Sequence, residues 1–139
     1  MSDQTETASP LEQNANDNDR FRRVPIPRHH ACLRRARIRL LNDALRVTGQ
    51  GGCVVVTDGI AALGPERVDA LLLVLAAFTD FTADNDPWGE HDCGALSVGG
   101  ERALFKIDYF DRSLRGLSPD PADPTVTIRV LTIMRADEY

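Results

Sequence analysis

His91–Asp108, HDCGALSVGGERALFKID, decides the fold. Two apolar-alternating runs, 91–98 and 101–108, flank Gly99–Gly100. A two-residue Gly-Gly loop suits a type I′ turn, whose twist matches that of the strands it joins. The turn sets Val98 opposite Glu101, and the register follows. Leu96, Ala103, Phe105, Ile107 and Tyr109 then share one face, the core face. His91, Cys93, Lys106 and Asp108 share the other. In this register His91 lies opposite Asp108, and Cys93 opposite Lys106.

Working outward from the hairpin, the polar loop 79–90 carries the turn signals Asp86–Pro87 and Trp88–Gly89. Before it, Pro65 suits the first position of a helix with the stripe Val68, Leu71, Leu72, Leu75 and Phe78. Leu73 and Val74 make that helix apolar nearly all round, as a central core helix would be. The β-branched run Cys53–Thr57 reads as a buried strand. A longer helix is predicted from about His30 to Thr48, ended by Gly49, Gly51 and Gly52. Its wheel places Leu33, Leu40, Leu41, Ala44 and Leu45 on one arc, with Arg35, Arg39, Asn42 and Arg46 opposite. Beyond the hairpin lies a proline-rich loop, 111–124. Segment 125–139 alternates like a strand at Val126, Ile128 and Val130. Asp123 as N-cap and Pro124 at the first helical position favour a helix there.

The expected fold is α+β: a small sheet containing this C-terminal-half hairpin, packed against about three helices. Residues 1–28 are read as a disordered acidic tail with an arginine-rich lead-in, and 29–139 as one domain. The net charge of −5 is strongly partitioned. Residues 1–19 carry −5, residues 20–46 carry +8 with nine arginines against Asp43, and residues 47–139 carry −8. A uniformly basic nucleic-acid binder is excluded. A wholly disordered chain is excluded too, because 42% of residues are hydrophobic. No apolar run approaches the roughly 20 residues of a membrane span, so no membrane association is expected. No signal peptide is visible, and the three cysteines lack CxxC spacing. Both point to reduced thiols and a cytoplasmic location.

NDPWGEHD at 85–92, KIDYFD at 106–111, SPDPADP at 118–124 and RVLTIMRADEY at 129–139 form a distinctive ordered set of words. With GGCVVVTDGIAALGP at 51–65, the chain from about residue 37 onward resembles a bacterial family known as domain of unknown function 3768. Cys93 and Phe110 depart from the usual words, which implies that neither side chain is essential chemistry. The resemblance brings no established activity or cofactor. Members are often plasmid-borne or lie in mobile regions, which implies an accessory role.

Four constellations are candidates for function. Asp84, Asp86, Glu90 and Asp92 could bind a divalent metal, the one cofactor the sequence leaves open. Asp84, Asp86 and Gly89 echo a calcium loop, but its fifth position is Trp88 and its twelfth Ala95, so an EF-hand is rejected. Turn and capping chemistry is the simpler account of these acids. His91, Asp108 and Lys106 form a cross-strand set in which a carboxylate could orient a general base. A solvated ion pair is the simpler account there. Arg35, Arg39 and Arg46 on an exposed helix face, with Arg20, Arg22, Arg23 and Arg28 before them, suit phosphate or an acidic protein. Neutralisation within the molecule is the competing account. Trp88 is expected to fold back over the core.

These observations lead to an expected function as a small accessory protein of mobile-element origin. It would bind protein or nucleic acid through the arginine helix, in plasmid maintenance or evasion of host defence. The competing expectation is a small metal-dependent or His/Asp acid–base hydrolase centred on His91 and Asp108. The absence of a catalytic motif leans against an enzyme.

Overall fold

Helix α1 spans Ile26–Thr48 and strand β1 Cys53–Val56. A four-residue helix α2, Asp58–Ala61, and helix α3, Pro65–Ala77, follow. Then come β2 at Cys93–Val98, β3 at Glu101–Phe110, β4 at Ile128–Arg135 and a closing 3₁₀ turn at Ala136–Glu138. A computed structural model describes residues 26–139. The acidic tail and Arg20, Arg22 and Arg23 lie outside the described residues. The fold is α+β, with a four-stranded sheet and three α-helices among the described residues. Leu33–Tyr139 cluster as one unit.

The hairpin forms as its sequence dictates. Gly99 and Gly100 take φ of 54° and 82°, the left-handed pair a type I′ turn requires. Val98 faces Glu101 and Cys93 faces Lys106. Leu96, Ala103, Phe105 and Ile107 are buried on one face, with Tyr109 half-buried beside them.

The C-terminal segment departs from the helical expectation. Asp123 does not cap a helix. Its carboxylate accepts from Thr125 N at 2.9 Å and Thr125 Oγ1 at 2.6 Å, closing a local turn. Ile128–Arg135 is a central strand in the order β1-β4-β3-β2. It runs antiparallel to β3, with Ile133 beside Phe105, and parallel to β1, with Val130 beside Cys53. Pairing on both edges, together with β-branched Ile128, Val130, Thr132 and Ile133, outweighs the helix-start signal.

The core gathers Leu45, Ile60, Leu71, Leu75, Leu96, Phe105, Leu131 and Ile133 between helices and sheet. Helix α3 is not central, since Leu73 on its outer side is 73% exposed. Glu138 locks the C-terminal turn to the β1–α2 junction. It accepts from Thr57 Oγ1 at 2.5 Å, Gly59 N at 3.1 Å and Arg135 N at 2.9 Å. These bonds, the Thr57 hydroxyl first, hold its carboxyl below the ordinary value.

Helix α1 begins at Ile26 and ends where Gly49, at φ 74°, donates to Leu45 O at 2.8 Å. It is rolled by roughly a third of a turn from the expected orientation, with Leu45 inward as expected. Ile38, Asn42, Leu45 and Arg46 face inward. Leu33, Leu40 and Val47 are 69%, 68% and 52% exposed. Burying Asn42 and Arg46 is tolerable only where their polar atoms find partners. The site supplies them for Asn42 and for both terminal nitrogens of Arg46, leaving only Arg46 Nε without a partner.

Candidate functional site

Two polar clusters lie on the inner side of α1. In the first, Arg46 Nη1 donates to the α3 C-terminal carbonyls of Leu75, Ala76 and Phe78 at 3.2, 3.3 and 2.7 Å. A cation at a helix C-terminus meets both the orphan carbonyls and the dipole. Arg46 Nη2 also donates to Asp43 Oδ1 at 3.1 Å. The same oxygen lies 2.8 Å from His91 Nδ1. The imidazole stacks on Phe81 with centroids 3.8 Å apart, and Arg46 covers the same phenyl ring at 5.3 Å. His91 Nε2 faces Asp86 Oδ2 at 3.8 Å. One chain of groups thus runs Arg46, Asp43, His91, Asp86.

In the second cluster, buried Asn42 donates from Nδ2 to Tyr109 OH at 2.7 Å and to Glu90 O at 3.0 Å. Tyr109 OH donates to Glu90 Oε2 at 2.9 Å. Arg129, only 1% exposed, donates from Nε to Asn42 Oδ1 at 2.9 Å and from Nη2 to Pro121 O. Its guanidinium lies over the Tyr109 ring. Burial lowers the Arg129 pKa and raises that of the Tyr109 hydroxyl.

The expected His91–Asp108 pair does not form. Strand β2 starts at Cys93, and Ile107 N donates to Asp92 O at 2.7 Å. His91 itself takes φ 57° and turns towards α1. Asp108 instead pairs with Lys106, Oδ2 to Nζ at 3.0 Å, on the sheet face away from the helices. The two expected halves of the catalytic set therefore sit on opposite sides of the sheet. Cys93 is a poor nucleophile: burial raises its thiol pKa, and Sγ donates to Asn85 O at 3.3 Å.

The four candidate metal ligands disperse. Asp84 is exposed. Asp86 is buried, its Oδ1 accepting from Glu90 N at 3.0 Å and His91 N at 3.2 Å. Glu90 serves Tyr109, and burial raises the carboxyl pKa of Asp92. Among the described residues, no group of three or more His, Cys, Asp and Glu side chains is placed to hold a metal ion.

The helix arginines from Arg34 to Arg46 are spent on the molecule itself. Arg46 is buried and leaves the expected exposed set. Arg34 Nε pairs with Asp120 Oδ1 at 3.2 Å, and Arg37 Nε donates to Ala122 O at 2.8 Å. Arg39 Nη1 reaches Gly89 O at 3.4 Å, and Arg35 lies 5.4 Å from the Trp88 ring centroid. Trp88 does not fold over the core. It stays 62% exposed beneath Arg35. Sequence reasoning missed Asn42, Asp43, Phe81 and Arg129. The available signal was Asn42 lying in register with Ile38 and Leu45, at helical spacings of four and three.

The residues that build the loop, the hairpin and β4 coincide with a known family. A family model described as protein of unknown function (DUF3768) matches residues 56–138. The chain belongs to this family. No curated protein and no solved structure matches it. The match takes in α2, α3, the 79–92 loop and β2 to β4, and leaves α1 outside. The DUF3768 region therefore contains His91, Asp86, Glu90, Tyr109 and Arg129, while their partners Asn42, Asp43 and Arg46 come from outside the matched span. No helix among the described residues is long and apolar enough to cross a membrane.

Proposed function

We propose that this protein acts by binding an acidic protein partner through the outward face of α1, with nucleic acid the less favoured ligand. One observation supports this reading: Arg34, Arg37 and Arg39 of α1 are engaged within the chain, while Leu33, Leu40 and Val47 stand exposed along one face of the helix. An apolar centre with an arginine rim is the composition of a protein interface. Arg37, next to this face and exposed despite its bond to Ala122 O, and half-exposed Arg34 supply the rim and its preference for acidic partners. Phosphate binding would instead need several unengaged cations on one face. The setting is an accessory role in a mobile element, in plasmid maintenance or evasion of host defence, as the family resemblance implies.

The test pairs two binding experiments. A protein partner retained from native lysate by the wild type and lost by Leu40→Glu is the expected result. Salt-dependent DNA binding that is lost in Arg34→Ala/Arg35→Ala and unchanged in Leu40→Glu would overturn it.

A second reading is carried by the 2.8 Å contact between Asp43 Oδ1 and His91 Nδ1, the orientation used by general bases. Against it stands Asp86, which faces the nitrogen that would meet a substrate. Turnover abolished by both His91→Gln and Asp43→Asn would favour this enzymatic reading.

A further inference from the structure

A sheet of order β1-β4-β3-β2 has two edges, and they differ in how they are guarded. Strand β1 has only four residues and runs at once into α2. Short edges of this kind are a common protection against pairing with another chain. Strand β2 has six residues, CGALSV, paired one-to-one with β3 and without a bulge. It carries no charge and no proline, the other usual guards.

The hydrogen-bond parity of β2 follows from one bond, Ile107 N to Asp92 O. In an antiparallel pair, bonded positions alternate. Positions 92, 94, 96 and 98 therefore face β3, and the N–H and C=O groups of Cys93, Ala95 and Ser97 point outward. Among the described residues no backbone or side-chain group bonds to them. The side chains on that edge are small, so a neighbouring backbone can approach to the ordinary strand spacing of about 4.8 Å.

We infer that β2 pairs antiparallel with β2 of a second copy of this chain, about a two-fold axis at Ala95. Three features select a second copy over a foreign strand. The outward groups are symmetric about Ala95, so Cys93 meets Ser97 of the other copy, Ala95 meets Ala95, and each outward donor and acceptor is used once. A two-fold contact sets like residues near like, and a strand without charge is what permits that. The edge also lacks the alternating large side chains that would read a foreign sequence. The product is a continuous eight-stranded sheet. A concave surface of about 470 Å³ on its open face, lined by Cys93, Ala95, Leu104, Lys106, Met134 and Tyr139, then abuts the new seam.

The test measures the mass of the full chain in solution by sedimentation equilibrium over a wide concentration range. A dimer is expected for the wild type. Ala95→Lys and Ser97→Lys, both at exposed positions, should each give a monomer with unchanged far-ultraviolet circular dichroism. Ala95→Cys, with Cys32, Cys53 and Cys93 replaced by Ser, should form a covalent dimer with a short bis-maleimide linker, because the Cβ atoms of a bonded antiparallel pair lie about 5.5 Å apart, beyond the roughly 3.5–4.5 Å that a disulfide spans. A wild type that stays monomeric overturns the inference. So does a dimer that survives Ala95→Lys, or one lost only in Leu40→Glu, which would place the contact on α1.

Discussion

Asn42 holds four parts of the chain together with one amide. It donates to Tyr109 and the Glu90 carbonyl and accepts from Arg129, joining α1, the 79–92 loop, β3 and β4. Asn42→Leu should cost about 3 kcal/mol in urea denaturation, because it leaves Nε of the buried Arg129 guanidinium without its acceptor and takes a donor from the Tyr109 hydroxyl. A loss below about 1 kcal/mol would show that Arg129 finds other partners. Two carboxylates move stability with pH in opposite senses. Burial raises Asp92 above its ordinary 3.8, so the fold prefers its protonated form. That contribution is present below 3.8 and is lost as pH rises through the raised value. Asp92→Asn should therefore raise the melting temperature at pH 7, with the gain shrinking on acidification. Glu138 is held below its ordinary 4.5, chiefly by the Thr57 hydroxyl. Its contribution is present above 4.5 and is lost as pH falls through the depressed value. Glu138→Gln should lower the melting temperature at pH 7 and converge with wild type in acid.

Strand β2 meets β3 and α3 at a position that only glycine fits. A Cβ on Gly94 would lie 2.6 Å from both Phe105 Cε1 and Phe78 Cζ, with the rings edge-to-face at 5.3 Å. Gly94→Ala should destabilise by about 1–3 kcal/mol, the usual cost of overfilling a packed interior. Unchanged urea midpoints would show that the Phe78 ring swings aside at no cost. The same hairpin shows what was readable from sequence. Its turn, register and buried face depend on residues within ten positions of Gly99–Gly100, and all three were legible. β4 was not, because its identity depends on β1, more than seventy residues earlier, while its local signals at Asp123–Pro124 point to a helix. The roll of α1 was hidden for the same reason. Its wheel rewards burying leucines, but the decision rests with the carbonyls of α3 and the hydroxyl of Tyr109, far along the chain. At the candidate site, the sequence singles out His91 but sets it opposite Asp108, and the structure gives it a different neighbour. Its partner Asp43 lies on a different element, so spacing could not reveal it.

The whole molecule is larger than the span its family match covers. Residues 56–138 carry three of the four strands complete, but of β1 only Val56. They also lack Ile38 and Leu45, which are buried, and the polar side chains of Asn42, Asp43 and Arg46. Without α1, the α3 carbonyls lose their arginine, His91 loses its carboxylate at Nδ1, and Tyr109 and Arg129 lose their shared amide. Without β1, the edge of β4 is left open, and β4 is then an eight-residue unguarded edge. Several buried polar groups left unpaired at about 1–3 kcal/mol each rival the whole stability of a domain this size, about 5–15 kcal/mol. A chain of residues 56–139 should therefore lack a cooperative urea transition, and a chain of residues 33–139 should keep one. The single tryptophan, Trp88, reports on this directly, since it lies in the loop that α1 clamps through Arg35 and Arg39. In the longer chain, Trp88 fluorescence and far-ultraviolet circular dichroism should change at one urea concentration. A cooperative transition in the shorter chain, or separate transitions in the longer one, would mean that α1 is attached to a fold that does not need it.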